Sequence, residues 1–149
     1  MVSPCRPGNR AAALLFLGLL GLGSDISRGQ PAVTIGQNFT ASTLKVDSSA
    51  VPPDSNGAAG TVHFVEFING RFSVFNKADG VRVKTMTDVS FWSQAGLTIP
   101  SGWDVTDPRI VFDPASQRWF ASQVDFDPTG VINTNRFLLA ISTTAYPTD

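Results

Sequence analysis

Residues 61–86 read TVHFVEFINGRFSVFNKADGVRVKTM, and the two turns inside this stretch decide the fold. Asn69-Gly70 separates two runs rich in β-branched and aromatic residues, Thr61–Ile68 and Arg71–Asn76. A two-residue type I′ connection needs positive φ at both positions, so this pair marks a hairpin. Lys77-Ala78-Asp79-Gly80 is a second turn and leads into Val81–Met86. The stretch is expected to be a three-stranded antiparallel meander. Its apolar residues do not alternate cleanly: Val62, Phe64 and Ile68 fall on one side of the first strand, Val65 and Phe67 on the other. A sheet with one wet face alternates, whereas a sheet covered on both faces does not.

Downstream, Arg109–Phe112 (RIVF) and Arg118–Phe126 (RWFASQVDF) flank a turn at Asp113-Pro114-Ala115-Ser116, and Arg136–Thr143 (RFLLAIST) reads as a last strand. Asp before Pro suits the start of a type I turn. Residues 87–106 read as a looser stretch carrying Phe91, Trp92, Ile99 and Trp103. No window of 61–149 shows the apolar stripe of a helix. Upstream, residues 31–60 are a turn-rich lead-in, in which Pro52 and Pro53 hold the chain extended and Asp54, Asn56 and Gly57 favour a tight turn. The chain is therefore expected to be all-β, built of antiparallel meanders over 61–149. Sheets buried on both faces are what propeller blades are; a sandwich or jelly roll is the competing architecture.

The first 30 residues carry an address. Arg6 and Arg10 precede the apolar run AAALLFLGLLGLG at 11–23. A positive start and a short apolar stretch are the plan of a secretory signal peptide, and the run is shorter than the roughly 20 residues a spanning helix needs. The expectation is a cleaved leader over 1–30, a secreted or cell-surface protein, and no permanent membrane anchor. Cys5 lies ahead of the apolar run, away from a lipoprotein attachment position, and leaves with the leader.

Composition narrows the chemistry. Of 149 residues, 42% are hydrophobic and 15% charged, with a formal net charge of -1. That apolar fraction is too high for a disordered chain, and no basic field is present for a phosphate backbone, so nucleic acid is not an expected partner. One cysteine and one histidine exclude a Cys/His zinc cluster and any disulfide within the chain.

Three segments together carry a resemblance: VPPDSNGAAGTVHFVEFINGRFSVFNKADG at 51–80, TDPRIVFDPASQRWFASQVDF at 106–126 and LLAISTTAYPTD at 138–149. They are similar to the beginning of large secreted bacterial proteins with a β-propeller-like domain. The resemblance implies export and a propeller-like fold, and no particular reaction. A closed propeller has at least four blades of roughly 40–50 residues. The expectation is thus about two blades, part of a longer protein.

Candidate site residues are few. His63 sits mid-strand between Val62 and Phe64, and no G-x-S-x-G elbow accompanies it, so it reads as a structural strand residue with a hydrogen bond. Asp125 and Asp127 are calcium candidates, because residues i and i+2 of a strand project to one face and carboxylates suit a hard cation. The alternative for this pair is a strand running into a Pro128–Gly130 turn with solvated carboxylates. Trp92 and Trp103 are candidates for an aromatic platform under an extracellular ligand, carbohydrate or protein, against a core role for the same rings. Arg71, Arg109 and Arg118 with Tyr146 would have to assemble for sialidase-like chemistry, and nothing in their spacing brings them together. The leading expectation is a non-catalytic binding or structural module. The alternative is the N-terminal part of a carbohydrate-active hydrolase whose carboxylates lie mostly elsewhere.

Overall fold

The computed structural model describes residues 33–149; the leader expected over 1–30 and Cys5 lie outside the described residues. The described residues are all-β, with two antiparallel sheets and one short helix. Four consecutive strands, β1 (Asn56–Ala59), β2 (His63–Ile68), β3 (Arg71–Asn76) and β4 (Arg82–Met86), form the first sheet in chain order. Asn69-Gly70 makes the β2–β3 turn, but only Gly70 of the pair has positive φ, at 86°, so the turn is not the type I′ expected. The register sets Val65 opposite Val74 and Phe67 opposite Phe72 on one face, and Phe64 opposite Phe75 and Glu66 opposite Ser73 on the other.

The second sheet is β5 (Asp104–Asp113), β6 (Arg118–Phe126) and β7 (Asn135–Ile141), again in chain order. Its inner residues Ile110, Trp119 and Ala121 pack on Val65, Phe67, Phe72 and Val74 to form the main core. β5 runs beside β1 and β2, and the Ile110 amide donates to Asn56 Oδ1 at 2.6 Å.

The broken alternation of β2 has a physical cause in the layers above and below it. One face meets the second sheet. The other is covered by residues 37–50, where the Phe39 ring lies 5.1 Å from Phe75 and 6.1 Å from Phe64. Arg82 pairs with Asp47 at 2.5 Å, Arg71 Nε donates to the Asp47 carbonyl at 2.7 Å, and Ser42 bonds Glu66. The Arg82 hydrogen bond, ahead of the Thr43 amide, holds the Asp47 carboxyl below its ordinary range.

Several expectations need correcting. A strand, β1, lies within 31–60, because NGAA has turn-forming residues but can pair its backbone with Phe64–Phe67. The looser stretch 87–106 contains a helix, α1 (Asp88–Gln94), and the first residues of β5. α1 is capped by Thr87, whose Oγ1 accepts from Ser90 N at 3.1 Å, and seven residues are too few to display a period. β5 continues through Pro108 because its ladder slips between Thr106 and Arg109, with Asp107 at φ 57°. β2 begins at His63, two residues later than the run read from sequence, and β7 begins one residue before its run, at Asn135, and ends two before it, at Ile141.

Candidate functional site

The two sheets part on the side of β4, α1 and β7, leaving a cleft of about 400 Å³. Its floor is Phe72, Ile110, Trp119 and Ala121 from the facing sides of the sheets, with Met86 and Phe91 on one wall and Ala140 on the other. Phe91 stacks on Phe72 at 4.7 Å, and Trp119 is fixed by its indole, which donates to the Ala145 carbonyl at 2.9 Å. Lys84, Gln94, Ser142 and Asp149 supply the polar mouth. The Lys84 ammonium donates to the Thr148 carbonyl at 2.8 Å, holding the end of the chain over one edge. The volume is that of a small-molecule site, apolar below with polar groups above. Asp149 is the one carboxylate in the lining, which contains no histidine, so the lining offers no paired acid and base.

The residues singled out from sequence lie elsewhere, around the far end of β6. Asp125 is completely buried. Its Oδ1 accepts from the Arg136 amide at 3.0 Å and from Arg136 Nε at 3.2 Å, and its Oδ2 accepts from Nε at 2.9 Å and from Nη2. This pairing raises the Arg136 pKa. Asp127 follows the last residue of the strand and turns outward. Its Oδ1 accepts from Thr129 Oγ1 at 2.7 Å and Thr129 N at 2.9 Å, and its Oδ2 from Ile132 N at 2.8 Å. The Thr129 hydroxyl first, then these amides, hold the Asp127 carboxyl below its ordinary value. The shared face expected of i and i+2 ends with the strand at Phe126, so one carboxylate serves an interior ion pair and the other a surface turn.

Trp92 is 1% exposed and belongs to a second core cluster with Ile99 and Leu138, so its ring does not form a surface platform. Its Nε1 donates to Gln123 Oε1 at 2.7 Å. Trp103 packs at the margin of the same cluster, with the Arg136 guanidinium 5.9 Å from its ring centroid. Asp125, Trp92 and Trp103 are therefore brought to one neighbourhood, where Gln123 and Arg136 link them into a seam that holds residues 88–103 against the second sheet.

Sequence reasoning missed Asp88, Gln123 and Arg136. Asp88 accepts from Gly70 N and Val89 N, both at 2.8 Å, and its burial pushes the carboxyl pKa up. The Gln123 amide lies near enough to favour the Asp88 carboxylate, yet outside hydrogen-bond geometry, which leaves Nε2 buried without a partner. Alternation along RWFASQVDF was the available signal, since it sets Gln123 and Asp125 on the side of Trp119 and Ala121.

His63 departs from expectation in one respect. Its Nδ1 is buried without a hydrogen-bond partner, and the ring instead meets Tyr146 edge-on at 5.9 Å between centroids. Arg71, Arg109 and Arg118 are not assembled: their guanidinium groups donate to the carbonyls of Asp47, Pro108 and Ser142 respectively. Among the described residues no group of three or more His, Cys, Asp or Glu side chains is placed to hold a metal, and no helix is long and apolar enough to cross a membrane. No family model, curated protein or solved structure matches the chain.

Proposed function

We propose that the chain is an exported, propeller-like module of stacked antiparallel sheets that binds a ligand outside the cell, and that the inter-sheet cleft is the ligand's seat. The observation that carries this reading is the cleft itself: an aromatic floor of Phe72 and Trp119 and the Phe91 wall beneath a mouth containing Lys84, Gln94 and Asp149. That combination suits a small molecule with one apolar or aromatic face and a polar edge, a description that includes many sugars. Support for the propeller-like part comes from the first sheet, a four-stranded meander in chain order that packs face to face on the next sheet. The resemblance of 51–80, 106–126 and 138–149 to secreted propeller-like proteins supports the same part. Support for export is the Arg6–Gly23 leader pattern. In this reading the two sheets are successive blades of a longer stack.

Binding is tested by titrating the protein with soluble sugars and small aromatic–aliphatic molecules while following tryptophan fluorescence and the melting temperature. A ligand is expected to raise the midpoint. Ala95→Trp, which adds bulk at the exposed mouth, is expected to abolish that rise while leaving the unliganded midpoint within a few degrees. Glycoside hydrolysis at ordinary enzyme rates would favour the hydrolase reading instead. Export is tested separately by fusing residues 1–30 to a reporter and locating it, with a cleaved reporter outside the cell as the expected result.

A further inference from the structure

The ladder between β3 and β4 changes register once. Phe72 faces Met86, Ser73 faces Thr85 and Val74 faces Lys84, but Phe75 faces Arg82, so Val83 is an extra residue in β4. A bulge of this kind re-aims the side chains on either side of it. Without it Arg82, Lys84 and Met86 would share one face of the strand, as alternate residues do. With it the two basic residues part. Arg82 goes to the outer face with Phe75, its guanidinium 5.4 Å from that ring, and pairs with Asp47 at 2.5 Å. Lys84 and Met86 go to the inner face with Val74 and Phe72, which belong to the core between the sheets. Both line the cleft.

A half-buried lysine on the core side of a sheet is costly unless its ammonium is compensated. Arg82 and Arg136 each have a carboxylate, whereas Lys84 has none among the described residues. Its ammonium donates to the Thr148 carbonyl at 2.8 Å. That contact uses one of three donors and neutralises none of the charge. Asp149, the carboxylate in the same lining, instead accepts from the Thr144 hydroxyl at 2.6 Å. The cleft therefore joins an aromatic floor to a cation that lacks a counter-ion.

We propose that the ligand of the cleft is a small amphipathic carboxylate, with its apolar or aromatic body on Phe72 and Trp119 and its carboxylate on the Lys84 ammonium. This inference rests on the cleft being a ligand seat and adds the charge that the ligand carries. The two remaining donors of Lys84 suit the two oxygens of a carboxylate, and hydrogen bonds between charged partners are the strong ones. Apolar walls beside the ammonium reduce the solvent screening of that pair. A cationic ligand would meet Lys84 as a like charge, and a neutral one would leave the ammonium uncompensated.

Three probes with one aromatic body test the proposal: phenylacetate, phenylethanol and phenylethylamine. Each is titrated into the full chain while tryptophan fluorescence is followed. Phenylacetate is expected to bind at least ~10-fold more tightly than phenylethanol, the level of a hydrogen bond to a charged group, with phenylethylamine weakest. Lys84→Met keeps an unbranched apolar stem and is expected to abolish the preference for the acid while leaving the affinity for the alcohol close to the parent's. Lys84→Arg keeps the charge and is expected to keep the preference. Ala95→Trp is expected to weaken binding of the acid and the alcohol alike, which locates both in the cleft. Equal affinity of the parent for acid and alcohol overturns the proposal and leaves the ligand seat standing. So does a preference that Lys84→Met retains, or a Lys84→Met variant that loses acid and alcohol equally, as it would if the lysine only held Thr148. Binding of none of the probes, or binding that Ala95→Trp leaves unchanged, overturns the seat and this inference with it.

Discussion

A methyl group added at Gly60 would lie 2.4 Å from Cζ2 of Trp119, closer than real carbon contacts. Gly60 belongs to the β1–β2 connection and Trp119 to β6, so this missing side chain lets the two sheets meet. The indole cannot step aside, because it is 3% exposed and tied to the Ala145 carbonyl. Gly60→Ala is expected to lower the unfolding free energy by about 1–3 kcal/mol, the cost of an overpacked core. Combining it with Trp119→Phe should cost less than the two changes added together, because the smaller ring vacates the space. Urea titration of the four proteins checks both statements. Asp88 gives a pH signature of opposite sign to the usual carboxylate. Burial raises its folded pKa above the unfolded value, so between the two values the native state retains a proton that the unfolded chain has released. Stability from this group is fully present in acid and falls as pH rises through that window. Asp88→Asn does not titrate, so its stability relative to the parent is expected to increase with pH from the unfolded carboxyl value upward, whatever constant offset the lost acceptor adds. Denaturation midpoints of both proteins at a series of pH values check the slope.

Among the elements, α1 depends most on a single side chain. Trp92 fills the cluster with Ile99 and Leu138 and pairs with Gln123, whose other amide atom is already without a partner. Trp92→Phe keeps most of the apolar contact but leaves Gln123 Oε1 unpaired as well. It is expected to cost about 1–3 kcal/mol, the penalty of an orphaned buried acceptor, read by the same urea titration. The Asp127 turn has its own test. Its carboxylate already takes donors from Thr129 and Ile132, and that of Asp125 takes four hydrogen bonds from three donors of Arg136. The melting midpoint is therefore expected to stay constant as calcium rises to millimolar, and an increase would mean that a cation displaces those donors. How far each element was legible follows the range of the contacts that build it. β3 and β6 match the runs read from sequence, because local β-preference, the Asn69-Gly70 turn and the Asp113 turn all act within a few residues. β1 was illegible because Asn-Gly-Ala-Ala becomes a strand only through a partner. α1 was illegible as a period but not as a cap, since Thr87-Asp88 ahead of Phe91-Trp92 is a helix start. The seam of Gln123, Asp125 and Arg136 needed the pairing of β6 with β7, which no local pattern reveals.

For the whole molecule, the incomplete alternation of β2 was the most informative sequence signal. It called for cover on both faces, and the described residues supply that cover in two ways, a second sheet and residues 37–50. Among the described residues no layer covers the outer face of the second sheet, where Phe137, Leu139 and Ile141 stay exposed. The cleft arises from the same arrangement: the sheets are pinned where Asn56 meets Ile110 and where Gly60 meets Trp119, and part beside α1 and β7. The proposed ligand seat therefore rests on face-to-face stacking of the two sheets. The most direct test is a nuclear Overhauser spectrum of the folded protein, read at Gly60. Stacking predicts strong cross-peaks between the Gly60 α-protons and the Trp119 indole ring, with those α-protons displaced from their random-coil shift by the ring current. Gly60 α-protons at a random-coil shift with no cross-peak to any indole would contradict the account.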